Sequence, residues 1–302
     1  MTARTEIILS GKRIPLSNLD KVFYPEPGFT KGQVIDYYIQ VGPVLLPHLK
    51  NRALTLKRYP NGVREPFFYE KRCPSFRPPW VKTAPLWSRG AQENIHYCLA
   101  NDLPSLIWAA NLADLELHVS LACWNNPDRP TVMVFDLDPG PPAQVLDCAE
   151  VALWLRDFFA KKKLQCFCKT SGSKGLQVYV PLNTPVSFEQ TKSYARSLAE
   201  LLTREHPERV VFRMEKQLRK GKVLIDWSQN DSHKTTVAVY SLRAREHPTV
   251  STPVTWEETQ KAQRAQEPDR LQFEAEEVLR RVEEFGDLFA AVLKLKQKLP
   301  QW

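Results

Sequence analysis

Asp136 and Asp138 stand one residue apart at the end of the run Thr131-Val132-Met133-Val134-Phe135, and Pro139-Gly140 follows at once. The run is rich in β-formers and bounded by turn residues, so it reads as a buried strand. Residues i and i+2 of a strand share a face, which sends both carboxylates out together, about 6–7 Å apart. Carboxylates that close repel, and one takes up a proton unless a cation sits between them. As hard oxygen donors they suit Mg²⁺ or Mn²⁺, above all where a phosphate completes the coordination. A solvated Asp-Leu-Asp-Pro turn is the alternative, because Asp and Pro favour turns on their own account.

Other groups with usable chemistry follow and precede this pair. Thr170-Ser171-Gly172-Ser173-Lys174-Gly175 offers glycines, hydroxyls and an ammonium, the makings of an anion-binding nest with exposed amides. It lacks the P-loop spacing and leads into a strand, and a plain glycine hairpin is its bland reading. Asp226 ends another apolar run, and Arg243 and Arg245 share a face if the strand before them continues. Paired arginines suit a triphosphate. His118 lies 18 residues before Asp136, within reach of a substrate phosphate or sugar, although a lone strand-end histidine is usually structural. Lys21 and Lys31 flank a Pro-Gly loop, where exposed ammonium groups meet a phosphate or are simply solvated. Phe67-Phe68-Tyr69 beside Lys71-Arg72 is a mixture that stacks on bases while holding a backbone. A core strand also explains the aromatics.

The pattern supplies elements to hold these groups. A strand pair over 5–16 turns at Ser10-Gly11-Lys12, and Thr30 caps a helix to about residue 44. Strands are predicted at 52–59, 115–118, 164–169, 176–181, 222–227 and 235–240. Helices are predicted at 103–111, 143–162 and 187–204, with a polar helical tail from about 257 to 284 and a last helix ending at 296.

The chain has 302 residues and a formal charge of +8. Residues 1–90 carry 15 Lys/Arg against six Asp/Glu, and the remainder sums to −1. A basic first third on a neutral body suggests a bound polyanion, nucleic acid first. No apolar run approaches the roughly 20 residues of a membrane span. The first residues carry no signal-peptide core, so a cytoplasmic location, at the nucleoid, is expected. Six scattered cysteines form no CxxC pair; reduced thiols are expected, with neither zinc site nor disulfide.

Several stretches in order make a resemblance specific: Asp-Leu-Asp-Pro at 136–139, Ser-Gly-Ser-Lys-Gly-Leu-Gln-Val-Tyr-Val-Pro-Leu at 171–182, Lys-Val-Leu-Ile-Asp-Trp-Ser-Gln-Asn at 222–230 and Lys-Thr-Thr-Val-Ala-Val-Tyr-Ser-Leu-Arg-Ala-Arg at 234–245. Val-Ser-Thr-Pro-Val-Thr-Trp at 250–256, Leu-Asp-Lys-Val-Phe-Tyr-Pro at 19–25 and Phe-Phe-Tyr-Glu-Lys-Arg at 67–72 join them. Over roughly 10–295 the sequence resembles the archaeo-eukaryotic primase superfamily, and closely the polymerase domain of bacterial DNA ligase D of non-homologous end joining. The resemblance implies an α+β fold, a primase-type catalytic core of β-sheets flanked by helices. It implies one domain over 1–302, with a basic DNA-binding part at 1–90, a catalytic core at 91–256 and C-terminal helices at 257–302. By the family pattern Asp136, Asp138 and Asp226 hold two divalent cations, Mn²⁺ or Mg²⁺. Ser171, Ser173 and Lys174 hold the nucleoside triphosphate with Arg243 and Arg245, and His118 contacts the nucleotide. Lys21 and Lys31 grip a 5′-phosphate on gapped or broken DNA, and Phe67 and Phe68 stack on template bases. A ligase domain and bacterial Ku are the implied partners, and ribonucleotides the preferred substrates.

Two positions depart from the pattern. Gln177 stands where the family carries histidine; it still donates a hydrogen bond but cannot carry a proton charge. His118-Val119-Ser120 replaces the family's His-Pro-Trp. Three other readings compete: a haloacid-dehalogenase-type phosphatase, a DNA-end binding module without catalysis, and a de novo primase of the same superfamily. Gly140, two residues after Asp138 where the first of these expects Thr or Val, speaks against it.

Overall fold

The computed structural model describes residues 5–88 and 90–302. The reading of the first residues as leaderless falls partly outside them. The chain opens with the hairpin β1 (Thr5–Leu9) and β2 (Lys12–Leu16), then β3 (Val22–Tyr24) and β4 (Phe29–Thr30). Helix α1 (Lys31–Leu49) starts at Thr30, whose side chain accepts from the Gln33 amide in a reciprocal capping box. It runs past the expected end, through Pro43 and Pro47. Its apolar face of Val34, Ile35, Tyr38, Val41, Leu45 and Leu49 is buried, which offsets the hydrogen bonds the prolines remove.

Next come β5 (Leu54–Arg58), β6 (Phe68–Glu70), β7 (Thr83–Ser88), β8 (Glu93–Cys98), α2 (Leu103–Asn111) and β9 (Asp114–Val119). The central part holds β10 (Val132–Pro139), α3 (Val145–Lys161), β11 (Phe167–Thr170), β12 (Leu176–Pro181), α4 (Phe188–Glu205), β13 (Val210–Val211) and β14 (Val223–Asp226). The chain closes with β15 (Thr236–Val237), β16 (Pro253–Val254), α5 (Trp256–Ala265), α6 (Ala275–Phe285) and α7 (Ala290–Lys294). Among the described residues no helix is long and apolar enough to cross a membrane.

Two six-stranded sheets result among the described residues, the first antiparallel throughout and the second mixed through the parallel pair β13 and β14. One has the order β15-β9-β5-β8-β7, with β6 also on β5; the other runs β13-β14-β10-β12-β11-β16. Helices α3 and α4 pack on β10, where Phe135 meets Phe159 with ring centroids 5.7 Å apart. Alternation then turns Asp136 and Asp138 to the opposite face of that sheet. Residues 236–252 tie the sheets together: Ala238 N donates to Leu117 O at 2.8 Å, and Tyr240 N to Ser251 O at 2.7 Å, beside the pairing of Thr170 N with Thr252 O at 2.8 Å.

Three expectations fail here. The strand foreseen at 235–240 is only Thr236–Val237, because Tyr240 turns left-handed at φ 64°. Arg243 and Arg245 therefore do not share a strand face. The strand foreseen at 164–169 begins at Phe167. Cys73 and Cys98 form a disulfide, 25 residues apart in sequence, against the expectation of six free thiols. Both are buried, and β8 brings them together.

Candidate active site

Four polar side chains form one row across the second sheet. Asp136 is opposite Asp226 on β14 and opposite Gln177 on β12, and Gln177 is opposite Lys169 on β11. Directly opposed residues of antiparallel strands point to the same side. The order Asp226, Asp136, Gln177, Lys169 thus runs along one level, with Asp138 one pleat further on β10.

The electrostatics follow from this crowding. Burial, Asp138 and Asp226 push the Asp136 carboxyl up to about 7, against the Gln177 hydrogen bond and the charge of Lys169. Partial burial and Asp226 raise Asp138 as well, opposed by Arg219 and Arg243. Lys169 is fully buried, and that burial lowers its ammonium to about 7 despite Asp136. It donates to Ser251 Oγ at 2.5 Å. Gln177 is itself buried and accepts from Tyr179 OH at 3.5 Å. Asp226 Oδ1 accepts from Ser228 N at 2.9 Å and Ser228 Oγ at 2.5 Å, and Oδ2 from Gln229 Nε2 at 3.0 Å.

Among the described residues no three His, Cys, Asp or Glu side chains are gathered closely enough to cage an ion by themselves. The donor chemistry still fits a Mg²⁺ or Mn²⁺ ion. Such ions are held by one or two carboxylates together with substrate phosphates, and the raised Asp136 and Asp138 are carboxylates short of a counter-charge.

The nest sits beside the row, but two of its amides turn inward rather than out. Ser171 Oγ accepts from Ser173 N at 3.2 Å and Gly175 N at 3.1 Å. Gly172 takes φ +64°, and a Cβ there would lie 2.6 Å from the Val250 carbonyl carbon. Gly175 packs so closely that a Cβ would come 1.9 Å from Leu137 O, which fixes the nest against the carboxylate strand. Thr249 Oγ1 donates to Gly172 O at 2.6 Å, and Arg243 Nη1 donates to Ser171 O. Lys174 is exposed and forms no ion pair among the described residues. Arg245 is exposed, away from the strap that Arg243 makes.

His118 and Arg243 meet at Glu116, a buried carboxylate on β9. His118 Nε2 lies 3.0 Å and Arg243 Nε 3.4 Å from Glu116 Oε2, and Lys57 Nζ lies 3.0 Å from the same oxygen. Burial alone would raise Glu116, but His118, Arg243 and Lys57 hold it well below the usual carboxylate range. Burial lowers His118, with Arg243 and Lys57 adding to it and Glu116 opposing.

Lys21 and Lys31 form a second locus, joined by Lys31 N donating to Lys21 O at 2.8 Å. The expected exposure fails at Lys31, which is only 4% exposed, its ammonium on Ser17 O at 2.7 Å and Asn111 Oδ1 at 2.8 Å. Burial, Lys21 and Arg58 lower it to about 8. Lys21 Nζ donates to Pro60 O and Asn61 Oδ1, both at 2.7 Å. Neither has a carboxylate partner among the described residues. Phe67 and Phe68 are exposed at the surface. Lys57 Nζ lies 4.5 Å from the Phe67 ring and the Arg58 guanidinium 5.1 Å from the Phe68 ring.

Sequence reasoning passed over Glu116, Lys57 and Lys169. The first two adjoin named residues in the chain, as Glu-Leu-His and Leu-Lys-Arg, but nothing local shows that they meet. Lys169 had one usable signal, a charge at the end of an apolar strand leading into the nest.

The chain is similar to known proteins along most of its length. The family model described as LigD, primase-polymerase domain, matches residues 30–289. The multifunctional non-homologous end joining protein LigD of Mycolicibacterium smegmatis is 41% identical over 281 residues, covering 92% of this chain and 36% of that protein. The bifunctional LigD of Bacillus subtilis is 33% identical over 251 residues, covering 82% of this chain and 40% of that one. The chain thus spans little more than a third of the first relative's length. Among solved structures, the polymerase domain from Mycobacterium tuberculosis ligase D in complex with DNA superposes with a TM-score of 0.86 at 39% identity, covering 94% of this chain and 99% of that one. By the family model over most of its length and by these identities, the chain belongs to the LigD primase-polymerase domain family.

Proposed function

We propose that this chain is a DNA-dependent nucleotidyltransferase that extends or fills broken DNA ends during end joining. The observation that carries the reading is the pairing of Asp136 with Asp226 beside a nest braced by Arg243. Asp136, Asp138 and Asp226 are the residues to hold divalent cations, Mn²⁺ or Mg²⁺, which when bound neutralise phosphate charge and acidify a primer 3′-hydroxyl. Ser171, Ser173 and Lys174 bind the triphosphate, with Arg243 fixing the nest backbone beneath it and Arg245 at the rim. His118 and Gln177 contact the nucleotide. Gln177 orients Asp136 by a neutral amide that keeps its form across the working pH range.

Lys21 and Lys31 take a 5′-phosphate, as two ammonium groups without a carboxylate partner suit a dianion. Phe67 and Phe68 offer their faces to template bases. Ribonucleotide preference, a ligase domain and bacterial Ku as partners, and the division at residues 90 and 256 rest on the family resemblance. The test is primer extension on a gapped duplex with Mn²⁺. It compares ribonucleotides with deoxynucleotides, and a 5′-phosphate with a 5′-hydroxyl at the gap. Templated addition favouring ribonucleotides and the phosphate is expected. Phosphate-dependent binding without addition under either metal would leave an end-binding module instead.

A further inference from the structure

Glu116 holds side chains from three separate elements on one carboxylate. Lys57 comes from β5 and His118 from β9 itself, while Arg243 comes from the segment that bridges the sheets. Its second oxygen accepts from Ala244 N at 3.0 Å and Tyr59 OH at 3.4 Å. With 2% exposure it is closed off from water, so these contacts are not screened as surface pairs are.

Each partner leads somewhere. Arg243 continues to the nest through Ser171 O. Lys57 continues the other way, into a cage of rings: its ammonium lies 4.5 Å from Phe67, 5.3 Å from Tyr59 and 5.8 Å from Tyr69. Tyr69 in turn meets His118 edge-on, with centroids 6.1 Å apart. A contiguous path therefore joins exposed aromatics to the triphosphate loop, and Glu116 is where its branches meet. Lys57 is shared between the rings, which attract it by their quadrupoles, and the carboxylate, which attracts it by charge. Moving the rings shifts that balance at Glu116, and with it the restraint on His118 and Arg243.

We propose that Glu116 is a positioning residue that couples the aromatic platform at Phe67 and Tyr69 to the nucleotide-binding groups. A base stacking on the platform then alters triphosphate affinity through Lys57 and Glu116, without touching the nest. The proposal rests on the nucleotidyltransferase reading above. Contiguity alone does not prove coupling, and a double-mutant cycle does.

The cycle uses the whole chain without DNA, so that base pairing contributes nothing. Binding of a fluorescent methylanthraniloyl derivative of ATP with Mn²⁺ is measured for the wild type, Phe67→Ala, Glu116→Gln and the double variant. Phe67→Ala is expected to weaken binding by about fivefold in the wild-type background and by less than about twofold in the Glu116→Gln background. Equal losses in both backgrounds overturn the proposal, as does no loss in the wild type. If Glu116→Gln has no cooperative melt, Lys57→Met replaces it in the cycle with the same expected pattern. A wild type that binds no nucleotide at all sinks the nucleotidyltransferase reading and this proposal with it, an outcome distinct from additive losses.

Discussion

Asp136 and Asp226 lie directly opposite each other on adjacent antiparallel strands, on the face that the helices α3 and α4 leave free. The metal-free protein must therefore hold like charges side by side in a buried place, and burial first, then Asp138 and Asp226, push the Asp136 carboxyl up to about 7. An acid whose pKa is raised on folding costs stability once the unfolded chain has ionised, and the cost grows until the folded group ionises too.

Asp136→Asn should remove that cost and abolish chemistry together. The variant is expected to melt higher than wild type in the absence of metal, by an amount that grows from pH 5 to about 7 and then levels off. Extension should fall by more than about a hundredfold, because a ligand is lost. Thermal melts across pH with and without Mn²⁺ read the first effect; a variant less stable than wild type at pH 8 would overturn this account.

Lys31 gives a pH dependence of opposite sense. Its ammonium is depressed to about 8, so a phosphate must restore a proton once the pH passes that value. Preference for 5′-phosphorylated over 5′-hydroxyl ends should be full at pH 7 and fall above about 8, toward tenfold per unit. Lys31→Arg stays charged and should flatten the profile. An unchanged decline in that variant would locate the titration elsewhere.

Gly175→Ala tests the contact between the nest and the carboxylate strand. The new Cβ would lie 1.9 Å from Leu137 O, so backbone must move. A loss of about 1–3 kcal/mol is expected, with nucleotide affinity reduced more than DNA affinity. Calorimetry and titration with each ligand separate the two.

The disulfide between Cys73 and Cys98 closes a loop of 25 residues. Replacing both cysteines by serine should cost about 3 kcal/mol, as loops of that size do. A thiol reductant should lower the midpoint of the wild type toward that of the variant and leave the variant unmoved.

Much of the scaffold is legible in the chain because local signals agree with tertiary demand. Asp102 and Thr30 cap their helices through side chains, and the apolar run of β12 ends at Pro181. What escapes reading is decided by distant partners. Lysine is ordinarily a surface residue, and only the folded chain shows that Ser17 and Asn111 enclose Lys31. The pairing of Cys73 with Cys98 depends on where β8 runs, and Arg245 parts from Arg243 because Tyr240 leaves the strand. Asp136 and Asp226 show through their own strand endings. Glu116 does not, because two of its three neighbours, Lys57 and Arg243, stand far from it in the chain.

The row formed by Asp226, Asp136, Gln177 and Lys169 carries a counting rule. Side chains alternate across a sheet, so a shift of one residue exchanges its faces. One residue inserted into β10 ahead of Asp136 would send both of its aspartates among the helices and bring Phe135 out beside Gln177. Two would restore the face but carry Asp136 one pleat past Asp226 and Gln177 and set Val134 between them. The strand therefore has a fixed length up to Asp136, since odd changes turn the site inside out and even ones slide the aspartates out of line with their partners. The loops that lead into and out of it are under no such arithmetic.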